Sequence, residues 1–190
     1  MDRIKRVLAW MRRRAWDIAF VLLGLALVVW IADDAFGARV VTLSQGADYW
    51  EHSATMRELM DHPFSPRNPH LNSAESSPRF VPLFIVLALV ARALHWDALN
   101  AMGLVATANT LLLVTGIFLF FRSYFRDARA SLIGFVVAFG SWYDAWHFSN
   151  VYQLKILFST APYPSTTALG LSLLGFTFTL RVLRKGPGRF

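Results

Sequence analysis

The sequence predicts an all-α integral membrane protein with four transmembrane helices, one outer-face helix that re-enters or lies at the interface without crossing, and a helical first external loop. Three observations predict it. Apolar residues make up 55% of the 190 and charged residues 16%, where soluble domains hold about 45–50% and about 25%. The apolar surplus lies in long runs, which makes lipid the solvent of those segments. The basic residues gather at the ends of the runs, so the net charge of +7 reads as membrane orientation, and we expect no nucleic-acid partner.

Residues 1–14 form a basic arm with Arg3, Lys5, Arg6, Arg12, Arg13 and Arg14 against Asp2. The first span, 15–36, follows, with Trp16 and Trp30 at interfacial depths. Arm and span also resemble a secretory signal, with Ala35-Phe36-Gly37 as a cleavage site; we expect an uncleaved anchor. Residues 37–79 form the first external loop. Within it GADYWEHSATMRELMD (46–61) predicts a helix over 48–61, with Trp50, Met56 and Met60 as apolar contacts and Glu51, Glu58 and Asp61 on a solvated face. Asp48 and His52 are four apart and share one side of that helix. From Pro63 onward, prolines and Ser/Asn residues break any helix.

Whether 80–97 crosses decides the topology. If it does not, the inner side holds six Lys/Arg in the arm, three in 122–129 and four in 181–190, leaving six outside. If it crosses, most of the basic residues move outside, against the positive-inside rule. Arg92, His95 and Asp97 also suit an interfacial end. The second span is 98–121, whose Asn100, Thr107, Asn109 and Thr110 need protein partners rather than lipid. Residues 122–129 form a cytoplasmic turn, an orientation signal with some scope for anionic-lipid contact. The third span, 130–148, ends in the aromatic belt SWYDAWHFS. A second external loop, 149–164, precedes the fourth span, 165–181, with Ser165 or Thr166 as cap, and 182–190 return to the cytoplasm. The absence of cysteine excludes disulfides, zinc–thiolate sites and thiol nucleophiles. No span carries the intramembrane charges typical of a transporter or channel pathway.

The motifs GADYWEH, SPRFVPLFIVLALVARAL, FLFFRSYFRDARASLIGFVVAF, AFGSWYDAWHFS and YPSTTALGLSLL, in this order, resemble the N-terminal part of the GT-C class of membrane glycosyltransferases. The resemblance implies sugar transfer from a polyprenyl-phosphate donor on the non-cytoplasmic face of the plasma (inner) membrane. Asp48 would then be the catalytic base, since displacement at an anomeric carbon needs a carboxylate to take the proton of the attacking hydroxyl. His52 would orient Asp48 or touch substrate. Arg67, Arg79, Lys155 and Tyr163 would bind substrate and the departing lipid phosphate, and Asp144 and His147 would line an acceptor groove.

The likeness departs in two places. Members usually have seven or more core spans, against the four counted here, which implies other membrane subunits beside membrane lipids as partners. Metal-dependent members carry an acidic pair where Asp144 stands alone, so no cofactor is expected. Asp48, His52 and His62 are residue types able to take a divalent metal, but their spacing does not indicate one. The competing reading is a non-catalytic accessory subunit built on the same half of the fold.

Overall fold

The computed structural model describes residues 2–37, 47–71, 75, 77, 80–125, 127–141, 154 and 156–185. Among these the chain is all-helical: α1 (Asp2–Gly37), α2 (Ala47–Asp61), α3 (Pro82–Ala93), α4 (Ala98–Phe125), α5 (Ala128–Gly140), α6 (Leu157–Thr160) and α7 (Pro164–Lys185). Three helices are long and apolar enough to cross a membrane, over Arg14–Gly37, Ala98–Phe125 and Pro164–Arg184. The basic arm is not a separate tail but the first turns of α1, because its Arg, Lys, Leu and Ala residues are good helix formers. With 13 residues α5 is about 20 Å long and shorter than a hydrocarbon core by itself. The rest of the expected third span, 142–148, lies outside the described residues.

The packing follows α4, which touches α1, α5 and α7 along its length and α2 and α3 near its start. Helix α1 runs antiparallel to it: Asp17 meets Arg122, Phe20 meets Phe118, Gly24 faces Val114 and Phe36 lies on Gly103. Helix α7 runs parallel to α4, with Gly170 against Leu112, Gly116 against Leu173 and Arg184 donating to the carbonyls of Ser123 and Tyr124. Helix α5 packs against both α4 and α1, its Ser131 hydroxyl donating to Phe118 O at 3.1 Å and Arg129 lying 5.5 Å from the Trp16 ring.

Small residues let these helices approach, as lipid-embedded interfaces require. A Cβ on Gly116 would stand 3.0 Å from Gly170 O, and one on Gly134 would meet the Phe121 ring at 2.7 Å. One end of the bundle therefore gathers the Arg14–Asp17 turn of α1 with the ends of α4 and α7 and the start of α5. The opposite end carries α2 and α3.

The α2–α3 cap has its own core, with Met56, Leu59, Phe84, Ala88, Ala91 and Met102 buried. Pro82 occupies the first turn of α3, where its missing N–H is no loss. Helix α3 ends at Leu94 in a Schellman turn: His95 N donates to Arg92 O at 3.1 Å and Trp96 N to Ala91 O at 2.9 Å. His95 takes the left-handed position, φ 54°, that glycine usually fills. The turn aims the Trp96 ring edge-on at Phe36, 5.7 Å away, and Asp97 caps α4 by accepting from Asn100 N at 2.7 Å.

Two expectations change. Trp50 faces outward and half-exposed, and the inward face of α2 is Tyr49, His52, Met56 and Leu59. Those positions are spaced 3, 4 and 3, one helical stripe, and the stripe containing His52 meets aromatic partners on other helices. Ser165 and Thr166 do not precede α7 as caps but lie inside its first turn behind Pro164, and the Thr166 hydroxyl donates to Thr160 O at 2.6 Å.

Candidate functional site

The site builds outward from His52. It is 6% exposed, its ring 5.0 Å from that of Tyr163 and 6.0 Å, edge-on, from Phe84. The contact joins α2, α3 and the chain just before α7, bringing together two of the residues singled out from the sequence. Asp48 stands one turn before His52 on α2; its side chain lies outside the described residues, as do Arg79, Asp144, His147 and Lys155. Arg67 is described and exposed, and its backbone N–H donates to Glu58 Oε1 at 2.9 Å.

The chain after α2 is held against that helix. Glu58 Oε1 also lies 3.2 Å from His62 Nδ1, and His70 Nε2 lies 3.1 Å from Glu51 O and 3.4 Å from Thr55 Oγ1. Arg92 donates to Met60 O at 2.8 Å and Asp61 O at 3.2 Å, closing the C-terminus of α2. His62 is thus engaged with Glu58. Among the described residues no three His, Asp or Glu side chains converge as a metal site.

Tyr163 is placed by a buried polar bracket. Asn109 Nδ2 donates to Ala161 O at 2.9 Å and to Tyr163 O at 3.3 Å, while its Oδ1 accepts from Thr167 Oγ1 at 2.7 Å. This wholly buried amide thus has partners for both its nitrogen and its oxygen. Below this bracket an apolar groove of about 430 Å³ opens between α3, α4 and α7, lined by Leu83, Ala108, Leu111, Leu112, Thr167 and Leu171. Thr167, in the lining of this groove, is one turn past Tyr163 on the chain.

Burial pushes the Tyr49 hydroxyl above its ordinary value, the neighbouring Asp97 and Asp34 carboxylates push the same way, and a hydrogen bond with Ser53 opposes them. Sequence reasoning named His52, Tyr163 and Asn109. It missed Phe84 and His70, since nothing local marks an apolar residue in α3 as a ring partner of α2.

Among the described residues these features define an all-helical protein with a helical cap over three membrane-length apolar helices. Comparison with protein-family models, curated proteins and solved structures gave no match to the chain.

Proposed function

We propose that the chain is an inner-membrane module of the GT-C type, acting on a polyprenyl-phosphate-linked sugar at the non-cytoplasmic face. The arm, the α4–α5 junction around 122–129 and the tail are cytoplasmic in this reading, and α2 and α3 lie outside. Four legs cross, with α5 and the residues after it as the third, and α3 covers only the outer half of α4. The gathering of Arg14, Arg122, Arg129 and Arg184 at the end opposite α2 supports this orientation. A cysteine at Ser123 is then protected from an impermeant thiol reagent added outside; labelling there overturns the topology.

The observation that carries the catalytic reading is the His52–Tyr163 contact, with Thr167 of the α3–α4–α7 groove one turn further along α7. In the proposed reaction the groove holds isoprene units and presents the phosphate-linked sugar beside α2. Asp48 takes the proton of the acceptor hydroxyl as its oxygen bonds to the anomeric carbon, and the sugar–phosphate bond breaks with its electron pair leaving on the lipid phosphate. Arg67, Arg79 and Lys155 are the cations assigned to that phosphate, and Asp144 and His147 to the acceptor. The test is transfer from a labelled polyprenyl-phosphate sugar by wild type, Asp48→Asn and His52→Ala. Loss of a general base costs about 10²–10⁴-fold, so equal rates in wild type and Asp48→Asn remove Asp48 from the mechanism.

A second reading is favoured by one observation. His52 and Tyr163 are 6% and 8% exposed, a packing that suits a structural joint. On that reading the chain is an accessory subunit of a larger membrane complex, and wild type transfers no sugar by itself but co-purifies with a partner in stoichiometric amount.

A further inference from the structure

At the end of the bundle away from α2, charge and shape converge in a way the sugar-transfer reading does not use. Asp17 Oδ2 lies 3.3 Å from Arg14 Nη1 and 3.7 Å from Arg122 Nη2. The two guanidiniums therefore share one carboxylate, and each has five N–H donors. Arg14 and Arg122 remain 58% and 35% exposed, whereas Asp17 is 14% exposed. Arg129 is held above Trp16 beside them, and Arg184 is fixed on the last carbonyls of α4. The other described carboxylate in this region, Asp127, is spent capping α5 through Arg129 N at 2.8 Å. Cationic charge is in excess here, and it is positioned rather than scattered.

A second apolar groove, of about 190 Å³, lies between α1 and α4, its lining beginning at Phe20 and Phe118, one turn from Asp17 and Arg122. Val21, Gly24 and Val28 line it on α1 at helical spacing from Asp17, and Leu119, Thr115 and Leu111 line it on α4 at helical spacing back from Arg122. Gly24 makes the channel's floor: a Cβ there would stand 2.7 Å from Val114 Cγ1, so the helices touch below while side chains part above. A cationic clamp at the head of an apolar channel is complementary to one kind of molecule, with an anionic head and a hydrocarbon tail.

We propose that this is a binding site for an anionic phospholipid of the leaflet on the amino-terminal side. Arg14 and Arg122 donate to its phosphate oxygens, one acyl chain lies in the α1–α4 groove, and Asp17 holds the two arginines in place while competing for them. The proposal rests on the membrane reading alone; sugar transfer can fail without touching it.

The test measures retention of dioleoyl phosphatidylglycerol against dioleoyl phosphatidylcholine by native mass spectrometry of the detergent-purified protein. The wild type is expected to retain the anionic lipid preferentially. Arg14→Ala and Arg122→Ala each weaken that preference about fivefold, the effect of one basic side chain at an anionic surface. Asp17→Asn, which frees both arginines, binds at least as tightly as wild type, and Thr115→Trp, which fills the groove from its exposed rim, weakens retention. Equal retention of the two lipids overturns the proposal. So does an Asp17→Asn variant that loses the lipid as the arginine variants do, because the loss would then follow the integrity of this end and not its charge. Glycerophosphoglycerol competing as strongly as the intact lipid removes the groove from the site.

Discussion

Replacing Asn109 by leucine tests how the bundle is locked. The side chain is fully buried and makes three hydrogen bonds, two donated to Ala161 O and Tyr163 O and one accepted from Thr167. Leucine keeps the branched four-atom skeleton and leaves no cavity, so the cost falls on three polar partners losing this neighbour. Tyr163 O keeps Thr166 N at 3.0 Å, and the Thr167 hydroxyl can turn to a carbonyl of its own helix. Ala161 O is the group left with a real deficit. A stranded buried group costs about 1–3 kcal/mol, and an interhelical hydrogen bond between membrane helices averages about 0.6 kcal/mol. The sum is about 2–4 kcal/mol, or a fall in Tm of about 4–16 °C for a chain of this size.

Thermal unfolding in detergent or nanodiscs measures it. Thr167→Val removes a bond that Asn109→Leu has already broken, so the pair is sub-additive in a double-mutant cycle. Asn109→Asp sets an oxygen against two carbonyls and is expected to be worse than leucine. A Tm for Asn109→Leu within 1 °C (about 0.3 kcal/mol) of wild type, or full additivity with Thr167→Val, refutes the bracket as the lock on α7.

Three further outcomes are expected. His95→Gly relieves the left-handed residue at the end of α3; the strain of about 1–2 kcal/mol exceeds the entropic cost of glycine, so the variant is more stable by about 0.5–1 kcal/mol, read as a higher Tm. Tyr49 has a raised folded-state value, so its stabilising contribution is full below about pH 10, where the unfolded phenol ionises, and is lost as pH rises through the folded value; Tyr49→Phe flattens that alkaline fall in Tm relative to wild type. Gly116→Ala drives a Cβ to 3.0 Å from the Gly170 carbonyl and costs about 1–3 kcal/mol, whereas Gly175→Ala meets nothing within 4 Å and gains about 0.5–1 kcal/mol; equal Tm values for the two variants contradict the close α4–α7 approach.

Much of this architecture is legible in the chain because its causes are local. Runs such as those within 15–36 and 98–121 can satisfy their backbones in lipid only as helices, and helices stand over both. Proline at the head of α3 and the breakers after Pro63 mark ends that need no partner to be read. The need of Asn109 for a buried partner was readable too, since an amide in an apolar helix has few alternatives.

The partner itself was not. Ala161, Tyr163 and Thr167 are more than fifty positions away, and no local pattern pairs them with α4. The inward face of α2 was legible only in part for the same reason: Met56 and Met60 pack on the core as expected, but Tyr49, His52 and Leu59 face inward in place of Trp50. Phe84 on α3 and Tyr163, just before α7, decide between them. Of the residues chosen for chemistry, the fold joins His52 to Tyr163 and leaves Arg67 outside, paired through its backbone.

The shared direction of α4 and α7 has a consequence for biogenesis. As the chain emerges, α4 enters the bilayer with its amide at position 109 facing hydrocarbon, and its mate is made only some fifty residues later. Until α7 arrives, the newborn chain carries an exposed polar wound in its middle. An insertase or chaperone that recognises such a flaw would hold the nascent chain when synthesis is arrested before Pro164 and release it once that helix docks.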